Sequence, residues 1–318
     1  MSEQPAAIVG RLAPSPTGRL HLGHARTFVL AWCHVRSRGG RVLLRLEDLD
    51  RERCRPELSE GVLRDLEWLG LGWDGEVLRQ SSRRAALLEI AERLLAAGLA
   101  YPCVCTRADI RQALSAPHRG EGELPYPGTC RGRFASLAEA ERASGHVPTL
   151  RLLVPEGEVA FEDGIFGPQR QDVARAVGDF VIARGDMPAY QLAVVADDAF
   201  SGVSEVFRAE DLLSSTARQI VLGRALGLVA PRWYHAPLVV DPSGRRLAKR
   251  ADDLSLAALR DAGVPARAVI GWVAHSAALA PLAAIGADEL ARSFELQRVG
   301  KEPIPVPDDI IERLRALA

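Results

Sequence analysis

Two histidines three residues apart, His21 and His24, stand just after the Pro/Gly turn Arg11-Leu12-Ala13-Pro14-Ser15-Pro16-Thr17-Gly18, with Gly23 between them. At the first turn of a helix an imidazole can donate hydrogen bonds to phosphate oxygens that gain charge in a transition state. The unpaired N–H groups and the dipole of a helix N-terminus favour phosphate at the same place, and Gly23 lets a ligand approach the backbone closely. This suits a nucleoside triphosphate. The elements that would position it are adjacent: residues 7–12 read as a short buried strand, and residues 25–36 carry Phe28, Val29, Ala31, Trp32 and Val35 at helical spacing. A strand, a tight turn and a helix make half of a nucleotide-binding fold.

A second basic feature lies far downstream, in Val239-Val240-Asp241-Pro242-Ser243-Gly244-Arg245-Arg246-Leu247-Ala248-Lys249-Arg250. It reads as an apolar strand, an Asp-Pro-Ser-Gly turn and a basic loop. Of the 40 basic residues only Lys249 and Lys301 are lysines, so the chain is strongly biased towards arginine. A compact ammonium differs from a planar guanidinium in geometry and hydration, and a lysine kept in such a chain points to work that arginine would do badly.

Arg11 to Gly18 with His21 to His24 is similar to the first signature of class I aminoacyl-tRNA synthetases, in the form used by the glutamyl and glutaminyl group. The Lys249 loop resembles their second signature, usually Lys-Met-Ser-Lys-Ser, with Arg246 for the first lysine and Ala248 and Arg250 for the two serines. Three further stretches match the glutamyl group's amino-acid pocket: Arg45-Leu46-Glu47-Asp48-Leu49-Asp50, residues 189–198 with Tyr190 at the start of another apolar strand, and residues 206–212 with Arg208 at the end of the next strand. The resemblance implies that Arg11 and Tyr190 hold the side-chain carboxylate of glutamate, Glu47 with Ala13 and Ser15 its amino group, and Arg208 its α-carboxylate. It implies that His21, Gly23, His24 and Lys249 bind ATP, with His21, His24 and Lys249 catalytic and Mg²⁺ accompanying the nucleotide. Charge supports this independently, since a dianionic amino acid needs two cations and one anion around it.

Five cysteines divide into isolated Cys33 and Cys54 and a group of Cys103, Cys105 and Cys130. In a reducing cytosol a cluster suggests metal before disulfide. The Gly/Pro-rich stretch 116–128 has little apolar content to order itself, and one structural Zn²⁺ per chain would tie its ends together. Three thiolates leave one position, with Tyr126 and His118 as candidates; a histidine is the commoner ligand, whereas the zinc insertion of bacterial glutamyl-type enzymes favours Tyr126.

The expected architecture is α/β: a Rossmann-type class I synthetase catalytic domain with an inserted, acceptor-binding-like, zinc-containing region and a short helical C-terminal region, without an anticodon-binding domain. The expected divisions are 1–100, the first catalytic half; 101–185, the insertion; 186–252, the second half; and 253–318, a helical stem-contact-like region. Residues 55–69, 83–97 and 218–226 read as helices; 149–154 and 159–161 read as strands, with 177–182 pairing alongside them. A chain of 318 residues, 47% hydrophobic, buries a substantial core, while a net charge of −1 excludes a generally basic nucleic-acid coat and leaves tRNA to local arginine clusters. No long apolar run is present, so a cytoplasmic monomer without membrane contact is expected.

The chain stops about seventy residues after Lys249, where an ordinary glutamyl-tRNA synthetase continues into an anticodon-binding domain. The resemblance is therefore to the truncated branch of the family, which activates L-glutamate with ATP and esterifies it to queuosine at the wobble position of tRNA(Asp). The alternatives are glutamylation of a tRNA 3′ end with a partner protein, and a non-catalytic paralogue that binds glutamate or tRNA as a regulator.

Overall fold

The computed structural model of the protein describes residues 7–113, 125–245, 247 and 254–317. Strand β1 (Val9–Leu12) is buried along its whole length and pairs in parallel with β2 (Arg41–Leu46); both of its faces are covered, and Arg11 is the one charged residue it carries. Between them runs α1 (Leu22–Arg36), whose buried Ala25, Val29, Leu30 and Cys33 face the sheet and the C-terminal helices. Each large apolar side chain buried there contributes about 1.5–3 kcal/mol. Close packing requires Gly10, because a Cβ at that position would meet Val35 Cγ2 at 2.4 Å. Helix α2 (Pro56–Trp68), strand β3 (Leu78–Arg79) and helix α3 (Arg84–Ala96) complete the first half, with Gly70 and Gly98 ending the helices at φ +73° and +69°.

The middle of the chain holds β4 (Ala100–Cys103), α4 (Arg107–Ala113), α5 (Leu137–Ser144), β5 (Thr149–Leu152), β6 (Glu158–Asp163), β7 (Gly167–Asp172), α6 (Val173–Ala176), β8 (Val181–Arg184) and β9 (Met187–Pro188). Strands β4, β5, β8 and β9 form one antiparallel sheet, so the pairing expected between residues 149–154 and 177–182 is present, although only from Val181 onward. Residues 159–161 do not join it. They form a hairpin with β7, and Asp163 pairs with Trp233.

The second half consists of α7 (Tyr190–Phe200), β10 (Glu205–Ala209), α8 (Leu213–Ala225), β11 (Arg232–Ala236) and β12 (Val239–Val240). Residues 189–198 were expected as a strand and are a helix instead. An apolar run of ten residues carries no period that separates the two, and here it fills the crossover before β10, packed on α8 and α3. Strands β10 and β11 are parallel, and β10 lies beside β1, where Ser204 N donates to Val9 O at 2.9 Å and Val9 N donates to Ser204 Oγ at 2.9 Å. The chain thus moves outward from β1 to β3 and then returns to the other side of β1. Ligands bind above the carboxyl ends of the strands at such a reversal.

Of the remaining helices, α9 (Leu256–Asp261) packs on α2, α10 (Ala266–Ser276) and α11 (Ala287–Arg292) cover α1, and α12 (Ile310–Arg315) packs on α10, with Pro265 at the start of α10. Strand β13 (Ile304–Pro305) pairs with β12. Among the described residues no helix is long and apolar enough to cross a membrane.

Candidate active site and metal centre

His21 is the N-cap of α1, and the two histidines fasten one another: Gly23 N donates to His21 Nδ1 at 3.1 Å, and His21 N donates to His24 Nδ1 at 3.1 Å. The rings lie 3.7 Å apart between centroids. Because each Nδ1 accepts a backbone hydrogen, each neutral ring carries its proton on Nε2, which makes that nitrogen a donor. Gly23 is tightly held as well, since a Cβ there would stand 3.0 Å from His21 Cε1.

The strand and turn expected before Lys249 are present. Asp241 Oδ1 accepts from Ser243 N at 2.9 Å and Arg245 N at 3.0 Å, Gly244 has φ +79°, and the hydrogen bonds, led by that of the Ser243 hydroxyl, hold the Asp241 carboxyl down to about 2. Lys249 itself, with Arg246, Ala248 and Arg250, lies outside the described residues. The chain on either side is fixed close to the histidines: Leu247 is buried in the core, and Leu254 to Leu256 pair with Leu20 to Leu22 through Leu22 N to Leu254 O at 3.1 Å and Leu256 N to Leu20 O at 2.8 Å.

The proposed amino-acid residues gather at the reversal between β1 and β10. Arg11 Nε donates to Asp198 Oδ1 at 3.2 Å and Arg11 Nη1 to Phe207 O at 3.2 Å. Arg45 Nη1 donates to the same Asp198 Oδ1 at 2.5 Å, and Arg45 Nη2 to Glu47 Oε1 at 3.2 Å. Glu47 lies just past the carboxyl end of β2, its Oε2 accepts from Ser15 Oγ at 3.1 Å, and its N–H donates to Pro14 O beside half-buried Ala13 at 3.0 Å. Tyr190 begins α7 rather than a strand. Desolvation and the Glu47 carboxylate push its phenol up to about 12, so it remains a donor, and the charges of Arg208, Arg11 and Arg45 also reach it.

Arg208, buried in β10, uses four of its five N–H groups within the protein. Nε donates to His235 Nε2 at 2.9 Å, Nη1 to Gln219 Oε1 at 2.8 Å, and Nη2 to Thr216 Oγ1 at 2.8 Å and Leu212 O at 3.1 Å. Burial lowers its pKa to about 10, which leaves it charged at neutral pH. A cavity of about 590 Å³ lies beneath, between α7, α8 and β11; it reaches the site only through Asp198 and Gln219, and its apolar lining of Val195, Ile220 and Trp233 does not suit a charged amino acid.

The Cys103, Cys105 and Cys130 sulfurs lie within 4.8 Å of one another. Tyr126 Oη is 3.3 Å from Cys103 Sγ and 3.6 Å from Cys105 Sγ, and Cys105 and Cys130 sulfurs are 3.5 Å apart. A tetrahedral zinc with ordinary bond lengths has S···S edges of about 3.8 Å and S···O edges of about 3.5 Å, so these three separations fit it. Arg151 supports the group, with Nε 3.2 Å from Cys103 Sγ and its guanidinium 3.8 Å above the Tyr126 ring. Tyr126 is brought there by its N–H, which donates to Val177 O at 2.8 Å, and by Gly178 at φ +72°, where a Cβ would meet Tyr126 O at 2.2 Å. His118 lies outside the described residues.

Arg45, Asp198, His235, Asp163 and Gln219 were not singled out as site residues in the sequence. Arg45 gave a signal, a charge within the apolar strand Arg41–Leu46; Asp198 gave a weaker one, an acid inside an apolar run. A lone histidine in the strand Arg232–Ala236 gives none, because a satisfied core histidine looks the same.

Residues 7–305 match the family of class I tRNA synthetases (E and Q), catalytic domain. The chain is 43% identical over 319 residues to the glutamyl-Q tRNA(Asp) synthetase of Nitratidesulfovibrio vulgaris, covering 97% of this chain and 98% of that one. It is 46% identical over 319 residues to that of Symbiobacterium thermophilum, covering 96% and 98%. A glutamate tRNA ligase from Elizabethkingia meningosepticum, crystallised in complex with its amino acid, superposes with a TM-score of 0.81 at 26% identity, covering 96% of this chain and 68% of that chain. The α/β catalytic fold expected from the two signatures is therefore present, and the chain belongs to the class I tRNA synthetases of the glutamyl and glutaminyl type and, within them, to the glutamyl-Q tRNA(Asp) synthetase family.

Proposed function

We propose that this protein activates L-glutamate with ATP and transfers the glutamyl group to queuosine at the wobble position of the tRNA(Asp) anticodon. The observation that carries the reading is the convergence of Arg11, Glu47, Tyr190 and Arg208 at the sheet reversal, in a chain whose relatives carry that enzyme's name over nearly their whole length. Three arginines and two carboxylates, Arg11, Arg45, Arg208, Glu47 and Asp198, give this neighbourhood a net charge of +1. Glutamate brings −1.

In the proposed site Arg11 and Tyr190 bind the side-chain carboxylate, Glu47 with Ala13 and Ser15 the ammonium, and Arg208 the α-carboxylate. An oxygen of that α-carboxylate attacks the α-phosphorus of ATP in line, pyrophosphate leaves, and glutamyl-adenylate forms. A queuosine hydroxyl then attacks the acyl carbon, releasing AMP. The Nε2–H groups of His21 and His24 and the Lys249 ammonium stabilise the charge that develops on the phosphates, and Gly23 lets them approach the backbone; none forms a covalent bond. Mg²⁺ bound with ATP supplies further charge neutralisation. Cys103, Cys105, Cys130 and Tyr126 would hold one Zn²⁺, whose role would be structural, tying the ends of the inserted loop together.

Residues 101–185 act as the insertion that receives the RNA, 1–100 and 186–252 as the catalytic body, and 253–318 as its helical stem contact. Three cysteines without a disulfide suit a reducing cytoplasm, where we place the protein as a monomer. Incubation with labelled glutamate, ATP and tRNA(Asp), with and without queuosine, tests the reading. Label retained only on queuosine-containing tRNA, and recovered in the anticodon fragment after nuclease digestion, is the expected result. Label on the 3′-terminal adenosine would transfer the function to ordinary charging.

A further inference from the structure

The proposed glutamate site contains two buried ions that the mechanism above does not use. Arg45 and Asp198 lie between Arg11 and Glu47 in one unbroken chain of hydrogen bonds: Arg11 Nε to Asp198 Oδ1 at 3.2 Å, Arg45 Nη1 to the same oxygen at 2.5 Å, and Arg45 Nη2 to Glu47 Oε1 at 3.2 Å. Their side chains are 3% and 7% exposed, and those of Arg11 and Glu47 are 5% and 9% exposed. Three elements meet in this chain, with Arg11 on β1, Arg45 and Glu47 on and just after β2, and Asp198 on α7.

As a pair the two ions add nothing to the net charge of the site. Their contribution is geometric. Asp198 holds one edge of Arg11, whose guanidinium keeps three N–H groups beyond the two bonded to Asp198 and Phe207, and Arg45 holds Oε1 of Glu47, whose Oε2 accepts from Ser15. A guanidinium presents its donors as a rigid planar fork, so Arg45 fixes the Asp198 and Glu47 oxygens relative to one another in a way that an ammonium on a flexible stem does not. Removing one ion from such a buried pair leaves the other uncompensated, and its neighbours must move or take up water.

We infer that Arg45 and Asp198 are positioning residues that set the separation between the cation reading the substrate side chain, Arg11, and the anion reading its ammonium, Glu47, and so govern the choice of amino acid. The inference rests on the reading of this pocket as the glutamate site. Fixed in place, Arg11 is left with an unmatched charge by glutamine, whose amide is neutral; loosened, it can turn to other partners and the discrimination falls.

The test is glutamate- and glutamine-dependent ATP–pyrophosphate exchange in the full chain and in Arg45→Gln, Arg45→Lys and Asp198→Asn, with thermal unfolding recorded for each. Arg45→Gln and Asp198→Asn are expected to raise KM for glutamate about tenfold or more, to leave KM for ATP within about twofold, and to lower the glutamate-to-glutamine ratio of kcat/KM about tenfold. Arg45→Lys, which keeps the charge and loses the fork, should lower the ratio about threefold. An unchanged ratio in these variants, with kcat/KM for both amino acids falling in step, overturns the inference. Should Arg45→Gln or Asp198→Asn not fold, Arg45→Lys decides by the same ratio. Absence of glutamate-dependent exchange in the unaltered protein overturns the pocket reading, and this inference with it.

Discussion

Arg208 Nε donates to His235 Nε2 at 2.9 Å, and that bond determines the protonation state of a fully buried histidine. A guanidinium cannot accept a hydrogen bond, so Nε2 of His235 must be unprotonated and its hydrogen must lie on Nδ1, facing Asp163 Oδ2 at 2.6 Å. Burial, and to a lesser degree the Arg208 charge, outweigh the Asp163 bond and lower the His235 pKa. Asp163 in turn accepts from Ile165 N at 3.0 Å and Phe166 N at 2.8 Å, so the β6–β7 turn holds the proposed α-carboxylate ligand. His235→Phe should raise KM for glutamate about tenfold to a hundredfold, as expected for an unsatisfied buried donor on a charged group. Gln, whose oxygen can accept from Arg208 while its amide donates to Asp163, should restore much of the loss. Acid acts in the same direction as His235→Phe: the folded site favours neutral His235, so glutamate affinity should hold through the ordinary histidine range and fall only as pH drops through the lowered pKa of His235. Equal glutamate KM values in His235→Phe and the unaltered protein would show that Arg208 is positioned without it.

The paired Nδ1 bonds of His21 and His24 lead to a second prediction. His24→Ala and Lys249→Ala should each slow glutamate-dependent pyrophosphate exchange about ten- to a thousandfold, the range for losing one charge-stabilising contact. His24→Asn, whose side-chain oxygen can still accept from His21 N, should retain the capping but lose the donor, and so fold normally while remaining slow. Exchange near the original rate in both alanine variants sinks the phosphate assignment.

Metal analysis of the purified protein should find one zinc per chain. Tyr126→Phe should weaken its retention while His118→Ala should not, and the reverse result would move the fourth ligand to His118. Gly178→Ala is expected to lower zinc content without touching a ligand, since the new Cβ collides with the Tyr126 backbone at a φ of +72°. Chelation should impair glutamyl transfer to tRNA more than pyrophosphate exchange; equal loss in both assays would make the metal part of the catalytic body.

Glu205, at the opposite end of β10, predicts acid sensitivity. Burial pushes its carboxyl up, but His34, whose Nε2 lies 2.8 Å from Glu205 Oε2, and the hydrogen-bonded Arg38 guanidinium together hold it down to about 2, against 4.5 ordinarily. A carboxyl depressed in the folded state contributes stability that is complete above its unfolded pKa and disappears as pH falls through the folded one. Chemical denaturation should therefore show stability declining between about pH 4.5 and pH 2. Glu205→Gln should lower stability at pH 7 and flatten that decline, and an unaltered slope would assign it to other carboxylates.

The local parts of the site were legible in the sequence because short-range chemistry dictates them. The Arg11–Gly18 turn, Gly23 and the histidines specify the first turn and helix; Asp241, Ser243 and Gly244 specify the turn before Lys249; Cys103, Cys105 and Cys130 announce a metal group. Tyr190 was assigned to a strand because a short apolar run has no period that separates a buried strand from a buried helix, and the crossover to β10 decided it. What only the tertiary structure decided depends on residues far apart in the chain. Arg45 and Asp198 are separated by 153 residues, and Arg208 and Asp163 meet at His235 only because β6 pairs with β11 instead of joining the inserted sheet. Tyr126 reaches the thiols through the carbonyl of Val177 and the space left by Gly178. A buried charge must find its partner wherever the fold brings one, and no sequence spacing records that distance.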